Sequence, residues 1–224
     1  MNRIPVERKV LSENDRLASG LRDGFARHGT VCINFISSPG SGKTALLERT
    51  LASFKAGRRV AVLTGDIQTD NDAQRLARYG FPVRQITTGG ACHLDARMVT
   101  GALAEWSPDS IDLLLVENVG NLVCPTSYDL GEEARVVLLS VAEGEDKPLK
   151  YPATFSRADV VVLNKIDLLP YVPFRMELAR DYIRRIQPDA RILEVSCTTG
   201  EGFDTWTQWI DNLCARQRSP APIS

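Results

Sequence analysis

A chain of 224 residues with 43% hydrophobic and 25% charged content is long enough to bury a full core and suits one large α/β domain. A net charge of −1, without basic stripes or like-charge runs, excludes an electrostatic case for nucleic acid or a membrane surface, so the expected partners are small molecules or proteins. No apolar stretch approaches the roughly 18 residues of a spanning helix and no signal-peptide core follows Met1, so a cytoplasmic location with reduced cysteines is expected.

Val10, Leu11, Leu17, Leu21 and Phe25 recur at helical spacing, which predicts an amphipathic helix over about 12–28 within an N-terminal segment of 1–30. Such a helix would cover an edge of a sheet or meet a partner. Strand-like apolar runs follow at Val31–Ile36, Val60–Leu63, Val83–Ile86, Ile111–Val116, Val136–Val141, Val160–Leu163 and Ile192–Val195. Helical patterns fall at Asp72–Tyr79, His93–Leu103, Phe174–Ile186 and Phe203–Leu213. This alternation predicts an α/β domain over 31–215, with a mostly parallel sheet covered by helices on both faces. The polar stretch 216–224, with its prolines, reads as a disordered tail.

At the end of the first strand stands Ser38-Pro39-Gly40-Ser41-Gly42-Lys43-Thr44. Gly40 and Gly42 let the backbone turn tightly and aim N–H groups at a phosphate. Lys43 supplies a point charge for the β and γ oxygens, Thr44 a hydroxyl for Mg²⁺, and the following helix its positive end. The pattern G-x-x-x-x-G-K-S/T departs at its first position, where Ser37 replaces glycine. The bland alternative is a serine- and glycine-rich turn before a helix. A buried strand before the loop and an amphipathic helix after it favour a phosphate-binding loop, and with it a P-loop NTPase sheet.

Asp66 closes the second strand and Glu117 the fourth, at the carboxyl edge where parallel sheets place ligand chemistry. Both are candidates to hold Mg²⁺ beside Thr44, directly or through water, and the Gly120 amide can sense a γ-phosphate. Asp70 and Asp72 can orient an attacking water or, equally, cap a helix and charge its first turn. Asn164-Lys165-Ile166-Asp167 after the sixth strand matches the N-K-x-D motif. The Asp167 carboxylate can accept from guanine N1–H and its exocyclic amino group, donors that adenine lacks on that edge. Asn164 can tie this segment to the phosphate loop and the stem of Lys165 can lie over the base. Ser196 and Cys197, in Ser196-Cys197-Thr198, resemble the S-A-K loop that supports guanine. The ligands are therefore GTP and GDP, and a slow intrinsic GTPase is expected. Lys147 and Lys150 are possible contributors in trans.

Cys92-His93, at the opening of a helical pattern, and Cys124 shortly after Gly120 offer two thiolates and an imidazole, a set suited to Ni²⁺ or Zn²⁺. A two-fold dimer contributing the set twice would complete the coordination. Because Cys124 lies on the loop that leaves Glu117, movement of that loop on loss of the γ-phosphate would shift one ligand relative to the others. The competing reading makes Cys92 and Cys124 core residues and His93 a helix-start donor. Cys32 and Cys214 read as structural.

Together, residues Ser37 to Thr44, Gly65 to Asp70, Cys92 to Asp95, Glu117 to Pro125, Lys147 to Pro152 and Asn164 to Asp167 resemble the HypB family, SIMIBI-class P-loop G proteins that assist nickel insertion into nickel-iron hydrogenase. The resemblance runs from about Val31 to Gly202, and Ser37 agrees with that family. It implies a G domain that dimerises with nucleotide and metal, a shared site from Cys92, His93 and Cys124, the nickel-binding protein HypA as partner, and indirectly the hydrogenase large subunit. Some members carry an N-terminal cysteine motif or a histidine-rich tract; this sequence has neither and only two histidines, so nickel storage is not expected. Two readings compete: a nickel GTPase for urease, whose Cys-Pro-His and Glu-Ser-Gly-Gly segments differ from those here, and a GTP switch that uses no metal.

Overall fold

Valine, isoleucine and leucine fill seven short runs because β-branched and aliphatic side chains suit a pleated surface buried on both faces. The computed structural model, which describes residues 6–54, 57–66 and 71–218, forms them into β1 (Val31–Ser37), β2 (Val60–Asp66), β3 (Val83–Thr87), β4 (Leu113–Glu117), β5 (Ala134–Ser140), β6 (Val160–Asn164) and β7 (Arg191–Val195). They make one sheet in the order β3-β2-β4-β1-β5-β6-β7, and every pairing among them is parallel. The strand order reverses around β1, which lies between β4 and β5. Ligands of such sheets bind outside the carboxyl ends of the strands at that reversal.

The helices are α1 (Val6–His28), α2 (Lys43–Ser53), α3 (Asn71–Ala77), α4 (Ala96–Leu103), α5 (Lys147–Lys150), α6 (Pro152–Phe155), α7 (Met176–Ile186) and α8 (Phe203–Arg218). Alternate residues of β1 feed opposite faces. Val31, Ile33 and Phe35 pack with Leu46 and Leu47 of α2 and with Trp206 and Ile210 of α8. On the other face, Cys32 packs with Val99 of α4 and with Leu21 and Phe25 of α1, while Ile36 joins Phe155 of α6 and Ile183 of α7. The indole of Trp206 is fully buried and donates to Thr50 Oγ1 at 2.9 Å, so its burial strands no polar atom.

Several boundaries differ from the sequence reading. The N-terminal helix begins by Val6 rather than near residue 12, and it lies against α4 as part of the sheet's cover. Asn14 explains the contact: its Oδ1 accepts from Ala96 N at 2.8 Å and its Nδ2 donates to the Asp129 carbonyl at 2.9 Å. The helix expected to open at His93 starts instead at Ala96. Asp95 has extended backbone and its carboxylate accepts from Met98 N at 2.8 Å, which makes it the N-cap and leaves Cys92 and His93 in the loop before it. The last helix runs to Arg218, and residues 219–224 of the expected tail lie outside the described residues.

Candidate nucleotide and metal site

Strand β1 is buried along its whole length and delivers Ser37 to the carboxyl edge. There the hydroxyl that stands in place of the consensus glycine accepts from Lys43 Nζ at 3.0 Å and donates to the Ser38 carbonyl at 2.7 Å. Lys43 is 8% exposed, and burial lowers its pKa against the pull of Glu117, Asp72 and Glu143. Helix α2 begins after Gly42 with no side-chain cap, which leaves its first N–H groups directed at the loop. Pro39, Gly40, Gly42, Lys43, Thr44, Asp66, Asp72, Glu117 and Gly120 border one cavity of about 440 Å³.

Thr44 Oγ1 donates to Glu117 Oε1 at 2.7 Å. Glu117 is 4% exposed, and burial raises its pKa to about 7 despite Lys43 and the Thr44 hydrogen bond. Its second oxygen, Oε2, is buried with no hydrogen-bond partner among the described residues. A buried carboxylate oxygen without a donor is costly, and a hard divalent cation satisfies it. Asp66 borders the same cavity at the end of β2. Asp72 stands in the first turn of α3, where its carboxylate accepts from Arg75 Nη1 at 3.3 Å. Asp70 lies outside the described residues.

The Asn164–Asp167 segment is tied to the loop. Asn164 Nδ2 donates to the Ser41 carbonyl at 2.8 Å and Lys165 Nζ to the Gly40 carbonyl at 2.7 Å. The approach is close enough that a Cβ on Gly42 would lie 2.5 Å from Asn164 Nδ2, so glycine is required there for space as well as for its φ of +98°. Lys165 itself has a positive φ of 63°, which turns Asp167 back toward the loop after β7. Asp167 Oδ1 accepts from Ser196 Oγ at 2.6 Å, and Ser196 Oγ accepts from Thr199 N at 3.0 Å. Cys197 Sγ meets Asn164 Oδ1 at 3.5 Å, and burial raises this thiol to about 11.

The thiol end takes Cys92 from the loop before α4 and Cys124 from the single turn Cys124–Ser127. A hydrogen bond shared with Cys124 raises the Cys92 pKa, and desolvation adds to it. His93 Nδ1 lies 3.9 Å from Cys92 Sγ, with its ring stacked on Tyr128 at 3.8 Å between centroids. Desolvation lowers the His93 pKa. The donor types suit a soft or borderline metal. Among the described residues, however, no group of three or more His, Cys, Asp or Glu is arranged to hold a metal ion, so one chain brings the two thiols together without closing a site.

Several contacts escape a reading of the motifs. Glu143 accepts from Ser41 Oγ at 2.5 Å and from Ser140 N at 3.1 Å, and so braces the phosphate loop from β5. Lys147 lies 3.6 Å from Glu143 Oε2, and Lys150 pairs with Asp146 at 2.7 Å. Arg75 borders the cavity and pairs with Glu48 at 2.5 Å. Only its spacing from Asp72 hinted at that place; for Glu143 and Tyr128 no local signal existed.

The model of the CobW/HypB/UreG nucleotide-binding domain matches residues 31–194. The hydrogenase maturation factor HypB of Azotobacter vinelandii is 50% identical over 208 residues, which are 93% of this chain and 69% of that protein. The crystal structure of HypB from Archaeoglobus fulgidus superposes with a TM-score of 0.85 at 40% identity, covering 91% of this chain and 99% of the other. HypB from Helicobacter pylori, crystallised in complex with nickel, gives 0.86 at 38% identity and covers 95% and 99%. Motifs, sheet order and these likenesses agree: the chain belongs to the CobW/HypB/UreG family and, within it, to the HypB hydrogenase maturation factors.

Proposed function

We propose that this chain hydrolyses GTP to GDP and phosphate in order to time the delivery of nickel to nickel-iron hydrogenase during its maturation. The stretch from Glu117 to Cys124 carries the reading, since it borders the phosphate cavity at one end and bears the thiol that meets Cys92 at the other. The base is guanine because Asp167, oriented by Ser196, offers an acceptor to two donors of that base.

In this reading Lys43 exchanges the Ser37 hydroxyl for the β and γ oxygens, while Thr44, Glu117 and Asp66 hold Mg²⁺. A cation held by these residues would supply neutralisation of the charge that develops on the phosphates. Asp72 orients the attacking water and Gly120 senses the γ-phosphate. With few groups dedicated to the transition state, turnover is slow. Cys92, His93 and Cys124 take Ni²⁺, with Zn²⁺ as a competitor for the same donors. A second copy of the chain, assembled in response to nucleotide and metal, completes the coordination that one chain leaves open. The nickel-binding protein HypA supplies or receives the metal, the hydrogenase large subunit is the eventual recipient, and the setting is the cytoplasm. No helix among the described residues is long and apolar enough to cross a membrane.

Size measurement with and without a GTP analogue and Ni²⁺ tests the proposal, with a dimer expected when both are present. A monomer under every condition, together with phosphate release no faster than buffer, would remove it.

A further inference from the structure

Between the two ends of the site lies a residue that neither chemistry uses. Leu94 is fully buried although it stands in the loop with Cys92 and His93. Its backbone N–H donates to Asn118 Oδ1 at 3.0 Å. Asn118 directly follows Glu117, is 1% exposed, and accepts with the same oxygen from Val119 N at 3.0 Å, where the chain turns toward Gly120. The Leu94 side chain packs against Gly65. A Cβ on Gly65 would lie 2.8 Å from Leu94 Cγ, so the leucine fills the space that this glycine leaves open. Gly65 directly precedes Asp66 and borders the phosphate cavity. Leu94 is thus held from two sides by the two strand ends that carry Glu117 and Asp66.

A second branch leaves Asn118 for His93. Asn118 Nδ2 donates to Asn34 Oδ1 at 3.2 Å, and Asn34 Nδ2 to Glu132 Oε1 at 3.2 Å. Glu132 pairs with Arg135 at 2.6 Å, and Arg135 Nη2 donates to the carbonyl of Tyr128 at 3.3 Å, the residue on which His93 stacks. Asn34 and Arg135 are buried, and Glu132 is half-buried with its side chain 6% exposed. Close-packed contacts and hydrogen-bonded chains of this kind transmit a displacement rather than absorb it.

We infer that Leu94 is the positioning residue through which the nucleotide state sets the placement of Cys92 and His93. The inference rests on the proposed GTP-dependent handling of metal and assigns its coupling element. A shift of either strand end on loss of the γ-phosphate moves Leu94, and the thiol and imidazole next to it in the chain follow, while Cys124 moves with the loop after Gly120. The pair of thiols then separates or closes from both sides at once.

The test is the ratio of Ni²⁺ dissociation constants measured on the full chain with GDP and with a non-hydrolysable GTP analogue. The unaltered protein should show a ratio of about fivefold or more. Leu94→Ala should bring the ratio close to one while leaving nucleotide affinity unchanged, and the volume-conserving Leu94→Met should restore it. Asn118→Ala, which keeps the leucine and removes its hydrogen bond, should also shrink the ratio. An undiminished ratio in folded Leu94→Ala or Asn118→Ala would overturn the inference and leave the proposed function standing. A ratio of one in the unaltered protein would overturn both, because no coupling would exist to transmit.

Discussion

At the phosphate end five groups that await the nucleotide already have partners: Lys43 rests on Ser37, Thr44 on Glu117, Ser41 on Glu143, and Asn164 and Lys165 on the loop itself. The thiol end is built otherwise. Cys92 and Cys124 come from two loops, and His93 spends its ring on Tyr128. No three-donor cluster closes among the described residues. A ligand that one chain must grip is met by groups held in place before it arrives. Under the proposed function, a metal that must be given up is better met by donors whose arrangement depends on a neighbour and on the state of the other site.

The largest expected effect falls on the phosphate end. Lys43→Ala should lower GTP turnover by at least about a hundredfold in a phosphate-release assay, while Ni²⁺ affinity without nucleotide stays the same. A matching loss of metal affinity would break the division between the two ends. Conversely, Cys92→Ala and Cys124→Ala should each weaken Ni²⁺ binding by more than about tenfold in titration calorimetry and leave GDP binding intact. Base selectivity comes next. The protein should prefer GTP to ITP, which lacks the exocyclic amino group, by about tenfold or more, and competition binding with Asp167→Ala should show that preference gone.

Glu117 sharpens the comparison through pH. Burial raises its folded-state pKa from 4.5 to about 7, so the folded chain holds this proton more firmly than the unfolded chain does. Stability of the protein alone should therefore fall as pH rises from about 4.5 through 7, and Mg²⁺ with nucleotide, which needs the carboxylate, should bind more tightly over the same window. Glu117→Gln should be the more stable form above pH 7, by on the order of 1–3 kcal/mol in denaturant unfolding, and should lose that pH dependence. An unchanged profile would mean that Glu117 is already ionised and paired. The smallest effect belongs to Asn14→Ala, which frees the first N–H of α4 and should cost about 1 kcal/mol without altering nucleotide affinity.

Much of this was readable along the chain. The seven strands were legible because each is an uninterrupted apolar run, and the phosphate loop and the Asn164–Asp167 motif because their chemistry is contiguous. Ser37 was visible as a departure from consensus, but that its hydroxyl receives Lys43 was not. The start of α4 was misplaced by three residues because the helical pattern continues through His93, and only the extended backbone at Asp95 stops it.

The sequence by itself therefore determined the α/β sheet, the phosphate loop and the Asn164–Asp167 segment, since each depends on residue types a few positions apart and on the local geometry they impose. Tertiary structure alone decided which distant groups meet: Glu143 on Ser41 across 102 residues, Asn118 on Leu94 across 24, Cys92 on Cys124, and the burial that lifts Glu117. Such pairs are joined by the order of strands in the sheet and the packing at its carboxyl edge. A side chain carries no local trace of the partner that folding will bring to it.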